Sequence, residues 1–114
     1  MSVCEILLHQ EEDQGRDRMR TVADLMRAAP KAIHAGQKDL DYWLSKPERI
    51  PEVLLHKHSS GSLRVALFCG SVYRDERDNE YVTALYSVPR KGFVTEKCWL
   101  SDPITASFYL AILG

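Results

Sequence analysis

The spacing of apolar positions along this chain changes character near residue 60. Before that point it is helical. Met19, Val22, Ala23 and Met26 fall at i, i+3, i+4 and i+7 and make one apolar stripe, with Arg16, Arg18, Arg20 and Arg27 mostly off it. This predicts a helix starting near Arg16, with Asp17 in its first turn and Pro30 marking its end. Residues 30–58 read as short helical pieces between breakers. Gly36 separates Lys31–Ala35 from a second helix over Gln37–Ser45, which shows Leu40, Trp43 and Leu44 on one face. Pro51 suits the first turn of a further short helix carrying Val53, Leu54 and Leu55. Residues 3–9 fit either a strand or a first helical turn, and we take them as a strand.

Ser59-Ser60-Gly61-Ser62 is a flexible joint, and after it the pattern turns to strands. Leu63–Tyr73, Glu80–Val88 and Gly92–Leu100 are rich in Val, Tyr, Phe, Trp and Thr. Their connections are too short for parallel crossovers, so they predict antiparallel hairpins. Both faces of Glu80–Val88 are fairly apolar, which predicts a central strand. Gly70 predicts a bulge in the first of the three. In Ser101-Asp102-Pro103-Ile104, Asp102 is placed as an N-cap and Pro103 as a first helical residue. Residues 102–113 are therefore taken as a C-terminal helix, with a fourth strand as the alternative.

The expected architecture is a single α+β domain over residues 1–114. A helical N-terminal part at about 11–58 packs on one face of a three- to four-stranded antiparallel sheet formed by the β-rich part at about 62–100. The expected core includes Met19, Val22, Met26, Leu40, Trp43, Leu44, Val65, Leu67, Val82, Ala84, Tyr86 and Val94. An apolar fraction of 45% with 27% charged residues is that of a folded protein able to bury a core.

Charge and cysteine content narrow the functional classes. The 15 Lys/Arg and 16 Asp/Glu are spread evenly over both halves, so no basic region suits nucleic acid or an anionic membrane. The longest apolar run, Ile104 to Leu113, is about half of the ~20 residues that a membrane-spanning helix needs. Cys4, Cys69 and Cys98 are odd in number and lack metal or redox spacing. With an N-terminus that turns acidic too early for a signal peptide, they point to a soluble protein of the reducing cytoplasm.

No motif identifies an enzyme. His56-x-His58 would share a face on a strand and could join a third ligand at Zn²⁺, but it sits beside the joint and reads first as loop histidines. Cys69-Gly70-Ser71 lacks the downstream His that a thiol protease needs. Phosphate-cradling glycine loops and the G-x-S-x-G elbow are absent. We therefore assign no catalytic residue, no metal and no cofactor. The dense aromatics Phe68, Tyr73, Tyr81, Tyr86, Phe93 and Trp99 read first as core and second as a stacking surface.

These readings favour a non-enzymatic protein that binds another protein, such as an inhibitor or immunity-type protein of a phage or mobile element. Its expected partner-binding residues are Asp75, Glu76, Arg77 and Asp78 in the mixed-charge loop. The alternative is a small nucleic-acid binder, with Arg16, Arg20, Arg27, Arg90 and Lys91 as anion contacts. An enzyme with an unfamiliar site is the third reading.

Overall fold

The computed structural model describes residues 6–9, 20–28, 33–59, 61–105 and 107–113. The elements, in order, are β1 (Ile6–His9), β2 (Arg20–Thr21), α1 (Val22–Ala28), β3 (Ile33–His34), α2 (Gln37–Ser45), two 3₁₀ turns (Pro47–Arg49 and Glu52–Leu55), β4 (Val65–Arg74), β5 (Glu80–Val88), β6 (Gly92–Trp99), β7 (Pro103–Ile104) and β8 (Phe108–Leu113). The β4–β5–β6 meander and its two hairpins lie where the sequence placed them, with β5 central.

The architecture around the meander differs from the expectation. The sheet runs β1-β8-β4-β5-β6, with β3 also on β8, and it is mixed because β8 lies parallel to β4. The expected C-terminal helix is a strand. Ala111 and Leu113 face one core and Phe108, Leu110 and Ile112 the other, so this segment is apolar on both sides. A short run buried on both faces suits an interior strand, where a helix would leave one face to water. Asp102 closes the turn after β6 instead of capping a helix. Its carboxylate accepts the Trp99 N–H at 2.9 Å, and its own N–H donates to the Trp99 carbonyl at 2.9 Å.

The N-terminal part is not a helical half. Helix α1 begins only at Val22, because Arg20–Thr21 pairs with Pro103–Ile104. Thr21 is the cap. Its Oγ1 accepts the Asp24 N–H at 3.2 Å, while Asp24 accepts the Thr21 N–H at 3.0 Å, a reciprocal capping box. The Thr21-x-x-Asp24 spacing was present in the sequence as the true start signal. Met19 lies outside the described residues.

Helices pack on both faces of the sheet, not on one. Val22 and Leu25 of α1 cover Leu67, Cys69, Val82, Ala84, Cys98 and Leu110. On the opposite face, Leu40 and Trp43 of α2, with Ile50 and Leu54 from the 3₁₀ region, cover Ala66, Phe68, Leu85 and Ala111. Trp43 meets Phe68 edge-on at 5.6 Å between centroids. Most of the expected core is buried or half-buried, but Leu44 is 40% exposed, one position off the α2 stripe that Leu40 and Trp43 define. Among the described residues no helix is long and apolar enough to cross a membrane.

Candidate functional site

Strand β4 carries a large bulge, and it shapes the surface. From Val65 to Phe68 the strand pairs regularly with Tyr86 to Thr83; beyond the bulge Tyr73 pairs with Tyr81, so Cys69 to Val72 stand against Val82 alone. The displaced segment meets the chain ahead of α2. The Gly70 N–H donates to the Ala35 carbonyl at 2.8 Å, and the Ala35 N–H donates to the Ala111 carbonyl at 2.8 Å. Residues 33–35 thus fill the edge of β8 that β4 leaves. Ser71 Oγ accepts the Gln37 N–H at 2.9 Å and serves the first turn of α2, where Gly36 has no side chain to do so.

The bulge also changes which face Tyr73 occupies. In an unbroken strand Tyr73 would share a face with Leu67, because side chains alternate with period two. The register shift places it opposite Tyr81, on the face of Phe68 and Thr83. There β4, β5 and β6 lay three rings in a row. Tyr73 and Tyr81 are 5.6 Å apart between centroids, and Tyr81 and Trp99 are 5.8 Å apart. Tyr81 is the direct cross-strand neighbour of both. Lys97 Nζ stands 5.0 Å from the Tyr81 centroid, in cation–π range. The Gln37 side-chain carbonyl accepts from Tyr73 at 3.4 Å and from Thr83 at 3.3 Å. These side chains, with Thr95 and Glu96, line a shallow open hollow of about 310 Å³.

Asp75 holds one end of the row. Its Oδ2 accepts the Trp99 indole N–H at 3.0 Å, and its Oδ1 accepts the backbone N–H groups of Arg77 and Asn79, each at 2.9 Å. The Asn79 N–H, helped by Trp99 and Arg77, keeps the carboxyl below its ordinary pKa. The carboxylate expected to meet a partner is therefore the organiser of its own loop. Asp78 has φ 66° and pairs with Arg74 at 3.0 Å. Glu76 and Arg77 are exposed at the tip. The aromatic row and this tip are continuous through the Asp75–Trp99 bond.

A second hollow, of about 380 Å³, lies on the opposite face of the sheet, between β6 and the segment that leads to β8. Val65, Ala84, Tyr86, Cys98 and Phe108 line it, with Glu96 and Lys97 at the β6 side. Burial, and then the nearby Glu96 carboxylate, raise the Tyr86 hydroxyl above its ordinary pKa.

The chain matches no known protein family, no curated protein and no solved structure.

Among the described residues, the expected anion contacts lie on different elements. Arg20 is on β2 and not on the helix that carries Arg27. Arg27 pairs with Asp24. Arg90, with φ 70°, and Lys91 form the exposed β5–β6 tip, at the other end of the strands from Trp99. Arg16 lies outside the described residues. His56 lies 3.6 Å from Glu52, and no group of three His, Cys, Asp or Glu gathers among the described residues. Burial pushes the Cys69 thiol up to about 12 and the Cys98 thiol up to about 11, so both stay protonated near neutral pH.

Tyr73, Tyr81 and Trp99 lie among the dense aromatics of the sequence, with no local signal that sets them apart from Phe68, Tyr86 and Phe93. Alternation with period two would place Tyr73 on the Leu67 face, so only the bulge brings it into line with Tyr81 and Trp99.

Proposed function

We propose that this protein acts by binding another protein, and that the Tyr73–Tyr81–Trp99 row with the adjoining 75–78 tip is the surface it uses. The row itself carries the proposal: three amphipathic rings on a rigid sheet, the first 38% exposed and the last fixed by Asp75. Tyr and Trp are enriched at protein interfaces because they supply large contact area at small entropic cost. The surrounding charges are of both signs, with Lys97 and Arg77 beside Glu76, Glu80 and Glu96. Such a mixture suits a protein partner better than a polyphosphate. An inhibitor or immunity-type role fits a short chain whose chemistry is recognition. The reading belongs to the cytoplasm, where the buried free thiols Cys69 and Cys98 stay reduced.

The test is affinity capture from a native lysate with mass spectrometry. The baits are the parent chain, Tyr73→Ser, and the double variant Glu76→Ser with Arg77→Ser. A partner held by the parent and weakened at least about tenfold by Tyr73→Ser, with an unchanged melting temperature, is the expected result. Capture that survives both sets of changes would remove this surface from consideration.

A further inference from the structure

Strand β6 ends the sheet. Among the described residues it has a neighbouring strand on one side only. The Leu100 N–H donates to the Glu80 carbonyl at 3.0 Å, which in the β5–β6 register turns the backbone of Glu96 and Val94 toward β5. The backbone groups of Phe93, Thr95 and Lys97 then point outward, and those of Trp99 are taken by the Asp102 turn. An edge of this kind is a template for another strand unless the fold blunts it. Among the described residues no proline, bulge or further strand lies along Phe93 to Lys97, and Thr95, Glu96 and Lys97 are exposed.

The two hollows lie on opposite faces of the sheet, and both reach β6 at Glu96 and Lys97. A strand added along β6 would send alternate side chains toward each of them. That combination, an open ladder with a recess on either side, is the geometry of recognition by strand addition, in which the main chain supplies affinity and the recesses supply specificity.

We propose that β6 receives an extended segment of a partner protein as a further strand of the sheet. The segment would carry an acidic residue opposite Lys97 and an apolar residue beside it on the other face. This rests on the reading that the protein binds another protein, and it names the form the partner takes. The acidic residue follows from Lys97, which makes no ion pair among the described residues and stands over Tyr81 in the first hollow. The apolar residue follows from the second hollow, with its Val65, Tyr86, Cys98 and Phe108 walls.

A second copy of this chain fits the edge poorly. In a two-fold antiparallel pairing, an axis at Glu96 sets Glu96 against Glu96, and one at Lys97 sets Lys97 against Lys97. An axis at Thr95 sets Lys97 against Phe93 and Glu96 against Val94, and one at Val94 sets Lys97 against Lys91. Each of these four registers opposes like charges or leaves both charges unpaired, and directly opposed like charges weaken a sheet.

The experiment selects binders from a library of random linear peptides on the whole chain. The expected outcome is a family with Asp or Glu at one fixed position beside an apolar residue, whose binding slows amide exchange at Phe93, Thr95 and Lys97. Thr95→Pro removes an outward N–H that an edge strand can spare, so the fold should persist while Kd rises at least about tenfold. Lys97→Glu leaves the backbone edge intact and should turn the preference at the fixed position from acidic to basic. Failure to select any peptide, or selected peptides that bind the Thr95→Pro chain as tightly as the parent, overturns the proposal. Peptides lost on Tyr73→Ser but retained on Thr95→Pro also overturn it, while leaving the aromatic row as a binding surface.

Discussion

Replacing Gly70 with alanine tests whether the bulge of β4 is held by close backbone approach. A Cβ at Gly70 would lie 2.3 Å from the His34 carbonyl oxygen, 2.8 Å from the Ala35 carbonyl carbon and 2.9 Å from its oxygen. All three are backbone atoms, so no flexible side chain can swing aside. Residues 34 and 35 are also tied in place, by Gly70 N–H to Ala35 and by Ala35 N–H to Ala111, each at 2.8 Å. Relief of the clash must break or stretch these bonds. Overpacking of this sort costs about 1–3 kcal/mol, and each lost hydrogen bond adds about 1 kcal/mol. The smaller conformational freedom of the unfolded alanine chain returns only about 0.4–1 kcal/mol. The expected loss is therefore about 2–4 kcal/mol, read by urea denaturation at constant m-value. Gly61→Ala is the control. Its Cβ meets nothing within 4 Å, but its φ of +89° is left-handed, so it should cost only about 1–2 kcal/mol. A Gly70→Ala loss below about 1 kcal/mol would refute the argument. So would a Gly70→Ala loss smaller than that of Gly61→Ala.

Two further predictions concern the row and the core. Asp75 is held below its ordinary pKa in the folded chain, so its stabilising contribution is complete above the unfolded carboxylate value of about 3.9 and is lost as pH falls through the lower folded value. The melting temperatures of the parent and Asp75→Asn should thus converge as pH drops below about 4; a gap that stays constant from neutral to acid pH would show that the charge is irrelevant. Trp43→Ala removes a ring that is 3% exposed and packed on Phe68, and should cost about 3–5 kcal/mol. Leu44→Ala, at 40% exposure, should stay within about 0.5 kcal/mol. Equal losses in chemical denaturation would mean that α2 is rotated about its axis.

The sequence specifies the meander on its own. Alternation with β-branched and aromatic residues, cut by Asp75–Asn79 and Pro89–Lys91, leaves little choice but two hairpins, because the signal is local and repeated over three runs. It also determined α2, whose Leu40 and Trp43 stripe follows directly after Gly36. It left the C-terminal segment open, since an apolar run with Asp-Pro before it satisfies a helix start and a buried strand equally well. Only the parallel pairing of Val65–Leu67 with Phe108–Leu110, apolar on both faces, decided for the strand. The short α1 was decided in the same way, by the contact of Arg20–Thr21 with Pro103–Ile104, more than eighty residues away in the chain. The candidate surface depended most on tertiary structure. Gly70 marked the bulge, but not how many residues it would absorb. That number is set by the approach of Ala35 to Gly70, a contact between distant segments. Because side chains alternate, an odd shift in register carries Tyr73 across the sheet, and so the aromatic row exists only once the distant segment has docked.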